Sequence, residues 1–145
     1  MPKKNLSAIG LSLLTALVCV LWCSQQYPAT SPVTGILTVD GVPYPDVVIT
    51  YASVTGNPSA IGKTDAEGKY TLTTFKPKDG AMPGECVVLL IPDDLKIGEG
   101  SQSLKELAIA QKSKIHFRYF EKATSDLTVQ VDPGQNNHTL EIKSE

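Results

Sequence analysis

Between Gly62 and Leu72 the chain reads Gly-Lys-Thr-Asp-Ala-Glu-Gly-Lys-Tyr-Thr-Leu, and no other stretch restricts the fold as much. It ends one strand, reverses over an acidic turn closed by a glycine, and starts another. Tyr70, Leu72 and Thr74 alternate with Thr71 and Thr73, a period of two that turns one face inward. The Asp65 carboxylate can accept from the backbone N–H groups just downstream of it. Gly68 can take the positive φ that closes such a reversal without a side-chain clash. Asp65 and Gly68 are therefore the structural turn residues, and Gly68→Val is expected to cost roughly 1–3 kcal/mol through backbone strain.

The rest of the chain repeats this strand grammar. Val33 to Val39 alternates, with Val33, Leu37 and Val39 on one face, and the adjoining Asp40-Gly41 is a strong hairpin signal. Pro43 and Pro45 bend the chain, so the next strand begins near Asp46. Its body, Val47 to Ala52, is β-branched and apolar enough for the middle of a sheet. Thr55 to Pro58 is loop. Ser59 to Lys63 is a short strand feeding the acidic turn, with Lys69 to Phe75 expected as its hairpin partner. Lys76 to Gly84 is a loop marked by proline and glycine, and Glu85 to Pro92 is apolar on both faces, the pattern of a strand covered on each side.

Ser103 and Glu106 make a capping box, and Leu104, Leu107, Ala108 and Gln111 have helical spacing, which predicts a short helix over Ser103 to Lys112. Ile115 to Phe120 reads as an extended aromatic segment, with Ile115, Phe117 and Tyr119 opposite His116, Arg118 and Phe120. Leu127, Val129 and Val131 alternate, Pro133 to Asn137 turns, and His138 to Lys143 is expected to fold back on Leu127 to Val131 as a last hairpin. About seven short strands with little helix make an all-β sandwich, because each sheet has one apolar face that needs cover. Roughly 110 residues can bury one such core without disulfides.

The first residues concern address rather than fold. Lys3 and Lys4 precede an uncharged run from Leu6 to Cys23, the pattern of an export signal or an N-terminal membrane anchor. Lysines that stay inside imply that the rest of the chain is translocated. Residues 1–23 thus read as signal peptide or anchor, 24–32 as a polar tether kept extended by Pro28 and Pro32, and 33–145 as the folded domain. Three outcomes stay open for the leader: lipid attachment at Cys23, retention as an anchor, or ordinary cleavage. Trp22 is a poor residue to precede a modified cysteine, and no Ala-x-Ala site precedes Pro28. The first two outcomes hold the domain on a membrane, outside the cytoplasm.

Little in the folded part points to chemistry. A formal net charge of −2 with no basic cluster excludes an electrostatic grip on nucleic acid. Cys86, in a strand, reads as a small buried hydrophobe rather than a nucleophile. Asp65, Glu67 and Asp79 are loop oxygen donors, but calcium takes six or more oxygens and no Asp-x-Asp-x-Asp ladder is present. No Gly-x-Ser-x-Gly elbow supports a Ser-His-Asp site. Asn137-His138-Thr139 matches a glycosylation sequon, but at a turn-to-strand position it reads as a chance match. No catalytic residue, cofactor or metal is assigned.

Three motifs together resemble one family. They are Val33-x-Gly35-x-Leu37-x-Val39-Asp40-Gly41-x-Pro43, then Asp46-Val47-Val48-Ile49, then Thr64-Asp65-x-x-Gly68-x-Tyr70-x-Leu72. The set resembles the carboxypeptidase regulatory-like domain, a transthyretin-like (prealbumin-like) seven-stranded Greek-key β-sandwich, here with a short helical insert and an N-terminal apolar helix. Asp79 to Glu85 and Leu127 to Ile142 look like segments of small exported bacterial proteins, many of them lipoproteins. The helical insert and Trp22 depart from the pattern. The resemblance covers most of residues 33–143 and implies a non-catalytic structural or interaction module at the bacterial cell envelope. The implied partners are the membrane, through the N-terminal segment, and an envelope protein or glycan. A metal- or carbohydrate-binding accessory domain is the second expectation. Enzymes of similar fold are poorly matched. The histidine-rich site and Tyr-Arg-Gly-Ser motif of hydroxyisourate hydrolase are absent. The two tyrosines and two histidines that hold iron in intradiol dioxygenases find only His116, His138 and Tyr119 as counterparts.

Overall fold

In the computed structural model, which describes residues 26–93, 95, 106 and 113–144, β1 (Val33–Val39) has the pleat its sequence dictates. Val33, Gly35, Leu37 and Val39 are buried, and Thr34, Ile36 and Thr38 between them are half-buried. Asp40 (φ 53°) and Gly41 (φ 78°) then make a two-residue turn with both φ values positive, the type I′ geometry, leading into β2 (Val42–Pro43). After the Pro45 bend, β3 (Val47–Ser53) starts the second sheet, with β4 (Ala60–Lys63) next in the chain. β5 (Lys69–Thr71), β6 (Gly84–Pro92), β7 (Thr128–Val131) and β8 (Asn136–Ile142) complete the set.

The architecture is all-β, with two four-stranded sheets. In the first, β1 is central. β5 and β2 pair antiparallel with successive parts of it, and β8 runs parallel to it from Val33 opposite Asn136 to Val39 opposite Ile142. The second has the order β4-β3-β6-β7 and is antiparallel throughout. Val33, Leu37 and Leu140 from the first sheet, Leu72 just past β5, and Val47, Ile49, Tyr51, Val88, Leu90 and Val131 from the second are all 2% exposed or less and belong to one cluster. Each such aliphatic side chain contributes about 1.5–3 kcal/mol relative to exposure, more than a typical turn bond, so the interior between the sheets dominates stability.

Both expected hairpins flanking the crossing turns are corrected. Lys69–Thr71 pairs with β1, not with β4, so the Asp65–Gly68 turn carries the chain from one sheet to the other. Only beyond the strand end do Ile61 and Thr73 form an isolated bridge, exchanging two backbone bonds of 2.9 Å. Likewise β7 pairs with β6 and β8 with β1, so the turn after Pro133 also crosses between sheets. Its geometry is held by Asn136, which is buried. The Asn136 Oδ1 accepts from Asp132 N–H, and its Nδ2 donates to the carbonyls of Asp132 and Gly134, all at 2.9 Å.

Two further expectations change. β6 alternates between a fully buried face (Cys86, Val88, Leu90, Pro92) and a half-buried one (Val87, Leu89, Ile91), so it is not covered equally on both sides. The aromatic segment is not extended: Phe117–Phe120 forms a 3₁₀ turn, capped by His116, whose C=O accepts from Tyr119 N–H at 3.1 Å. With three residues per turn, period two gives way to period three, and Phe120 is buried while Phe117 and Tyr119 are half-buried. The apolar leader with Cys23 lies outside the described residues, as does the expected helix Ser103 to Lys112 apart from Glu106, which is helical. Among the described residues no helix is long and apolar enough to cross a membrane.

Candidate functional site

Asp65 and Gly68 occupy the first crossing turn. The Asp65 Oδ1 accepts from Glu67 N–H at 3.0 Å and from Lys69 N–H at 2.8 Å. Along the backbone, Gly68 N–H donates to Asp65 C=O at 3.0 Å and Asp65 N–H to Lys69 C=O at 2.9 Å. Gly68 is buried at φ 72°, and its own C=O accepts from Leu37 N–H at 2.8 Å, fastening the turn to β1. The carboxylate serves backbone donors, so its chemistry is that of an internal cap.

Asp79 does the same beyond the other end of β5. Its Oδ1 accepts from Thr74 N–H at 2.7 Å, and its Oδ2 accepts from Phe75 N–H at 3.0 Å and Lys76 N–H at 2.9 Å. Burial alone would raise the Asp79 pKa, but these bonds outweigh it and hold the carboxyl below its ordinary range. Among the described residues no three His, Cys, Asp or Glu side chains converge where a metal ion could sit. Cys86 faces the interior of β6, and burial pushes its thiol pKa up, away from the thiolate a nucleophile needs. An open groove between β4 and β5 is lined by Ile61, Lys63, Asp65, Lys69, Pro77 and Lys78, but Lys63 is already paired with Asp46 at 3.1 Å and Asp93 at 2.6 Å.

The two histidines have separate roles. The His116 Nδ1 accepts from Arg118 N–H at 3.1 Å and caps the 3₁₀ turn. His138, on β8, joins Tyr51 and Tyr70 in a cluster that ties the two sheets together. The Tyr70 hydroxyl donates to the His138 C=O at 3.0 Å, the Tyr51 and Tyr70 hydroxyls are 2.8 Å apart, and the Tyr51 hydroxyl is 3.0 Å from His138 Nδ1. Each hydroxyl has one proton. With the Tyr70 proton committed to the carbonyl, Tyr51 donates to Tyr70, and the Tyr51 oxygen accepts from His138 Nδ1–H. The imidazole also stacks on the Tyr51 ring, centroids 5.8 Å apart and 13° from parallel. Tyr51 and Tyr70 are 1% and 3% exposed, so the ring of hydrogen bonds is buried apart from the half-buried His138 imidazole. Burial raises both phenol pKa values, that of Tyr70 to about 12 despite its bond with Tyr51.

No sequence feature brought these three residues together, since they lie 19 and 87 positions apart. The available signal was a polar ring at the inward position of the last strand, in phase with Leu140 and Ile142.

Burial also depresses the His138 pKa below the ordinary 6.5, against the opposing effects of the Gln130 carbonyl and Asp132. The unfolded chain therefore binds this proton more tightly than the folded one. The associated stability is present above pH 6.5 and is lost as the pH falls below it. Thermal melts between about pH 8 and pH 5 should show the midpoint dropping on the acid side, and His138→Gln should flatten that drop. An identical pH profile in the variant would place the titration elsewhere.

No protein-family model matches the chain, and no curated protein matches it. Among solved structures it is similar to a DUF3823 family protein from Parabacteroides merdae ATCC 43184, at 14% identity and a TM-score of 0.41, over 81% of this chain. The chain spans about half of that neighbour, 48% of its length. Likeness of this order assigns neither a family nor an activity.

Proposed function

We propose that this chain is a non-catalytic structural or interaction module of the carboxypeptidase regulatory-like, transthyretin-like kind, held at a bacterial envelope membrane by its N-terminal segment. The observation that carries the non-catalytic half is the closure of its polar groups on one another. Asp65 and Asp79 cap backbone, Tyr51, Tyr70 and His138 form a ring, and among the described residues no buried side-chain nitrogen or oxygen lacks a partner. A catalytic site needs the reverse: polar atoms left unspent and aimed into space that a substrate can enter. The family reading is supported by the roles of the quoted motif residues, with Gly35 beneath its neighbours on both sides, Asp40-Gly41 in a tight hairpin and Asp65 to Gly68 in a capped reversal.

Attachment rests on the leader, with Lys3 and Lys4 ahead of the uncharged run to Cys23. Cell fractionation and then mass spectrometry of the membrane-extracted protein test it. The expected result is a membrane-bound chain that either begins at a lipid-modified Cys23 or keeps Met1. A shortened, unmodified chain in the soluble fraction would sink the reading. The partner met at that surface is an envelope protein or a glycan, presented to the exposed loops rather than to a cleft.

A further inference from the structure

We infer that the end of the sandwich at which β1 begins rests on an anionic lipid surface, with Tyr27, Lys76 and Lys78 at headgroup level. The inference rests on the membrane attachment proposed above and adds an orientation to it. Within the stretch expected to be a tether, Tyr27 and Ser31 are fastened to the domain. The Tyr27 ring stacks on Phe75, centroids 4.9 Å apart and 17° from parallel, with Lys76 Nζ 5.8 Å from the Tyr27 centroid. Ser31 is buried and exchanges backbone bonds of 2.7 and 3.0 Å with Ala81, while its Oγ accepts from Gly134 N–H at 3.3 Å.

Only Ser24, Gln25 and Gln26 separate Cys23 from Tyr27. A bilayer that holds Cys23, by an acyl chain or as the end of an anchor, therefore lies within about 14 Å of Tyr27, at ~3.5 Å per residue of extended chain. A loose tether of the same length would let the domain present any face. This one is committed to the end carrying the Phe75–Ala81 loop.

The charges agree with that placement. Lys76 and Lys78 are exposed at this end, and the Asp79 carboxylate beside them is turned onto its own backbone. Glu85 and Asp132 share the end, at the start of β6 and after β7. The far end, where β1 stops, exposes Asp40, Asp46, Asp65, Glu67 and Asp93 along with Lys63, Lys69 and Lys143, and Lys63 is paired with Asp46 and Asp93. An anionic surface meets the Lys76 and Lys78 ammonium groups, neither paired with a carboxylate among the described residues, at the first end and the larger group of acids at the second, so it favours the first over the second. A tyrosine 44% exposed beside a lysine also suits the bilayer interface, where an apolar ring and a charged tip meet headgroups together.

The test uses the full chain reconstituted into vesicles of phosphatidylglycerol and phosphatidylcholine. A water-soluble amine reagent is applied, and each lysine is read by mass spectrometry against its reactivity in the unfolded chain. Lys76 and Lys78 should react several-fold more slowly than Lys143 at the far end, and added salt or vesicles of phosphatidylcholine alone should weaken the difference. Equal reactivity at both ends, or protection of Lys143 instead, overturns the orientation and leaves the Lys76 end to a protein partner. A chain that does not float with the vesicles sinks the attachment itself, which keeps the two failures apart.

Discussion

Gly35→Ala is expected to destabilise the domain by about 3–5 kcal/mol, most or all of the stability of an ordinary domain of this size. A Cβ at Gly35 would lie 2.0 Å from the His138 carbonyl oxygen, 2.5 Å from the Tyr70 hydroxyl oxygen and 2.6 Å from the Tyr70 Cζ, all inside the 3.0 Å limit that real Cβ contacts respect. Moving β1 aside is costly, because Gly35 is paired with Tyr70 on one edge and His138 on the other. Moving Tyr70 breaks the bond from its hydroxyl to the His138 carbonyl and strands the Tyr51 hydroxyl. Gly41→Ala is the control, since Gly41 has φ +78° but nothing within 4 Å of its Cβ position, so it should lose only about 1 kcal/mol to strain. Denaturant midpoints of the two variants decide the matter, with unchanged slopes as the condition for comparing them. If Gly35→Ala shifts the midpoint no further than Gly41→Ala, β1 does not pack so closely against Tyr70 and β8.

Gly68→Val should cost about 3–5 kcal/mol, beyond the roughly 1–3 that strain alone accounts for. Strain at φ +72° is one part. The other is contact, with the new Cβ 2.7 Å from the Leu37 carbonyl oxygen, 3.0 Å from Tyr44 N and 3.1 Å from the Pro43 Cβ. That Leu37 carbonyl already accepts from Tyr44 N–H at 3.0 Å, so the added side chain would intrude on a bond as well as on space. Hydrogen exchange at the Leu37 and Tyr44 amides should quicken along with the fall in melting temperature. A variant that melts like the parent would show that the turn stands away from β1.

Where a sequence signal was local, it was legible. β1 alternates over its whole length and its burial does too, and Asp40-Gly41 permits little besides a tight hairpin. Which sheet a strand joins after a turn could not be read. Alternation in Tyr70 and Leu72 fixes an inward face, but a strand with that face fits either sheet, and strands next to each other in sequence are often not next to each other in a sheet. Both hairpin assignments failed for this reason, at Asp65–Gly68 and after Pro133. The 3₁₀ turn at Phe117–Phe120 was hidden by a period-two pattern of aromatics whose backbone instead obeys the His116 cap. The Tyr51, Tyr70 and His138 ring was out of reach because its members meet only after both sheets close.

The parallel pairing of β1 with β8 has a consequence for how the chain comes into being. Thr34 and the Asn136 carbonyl, 102 positions apart, share a hydrogen bond, and the whole of β1 waits on partners from the last strand. Contacts so distant in sequence make for slow folding, because a large loop must close before they return any stabilisation. A chain emerging from its N-terminus must hold β1 without its full-length neighbour until Ile142 is out, and during that delay the strand's open edge invites foreign pairing.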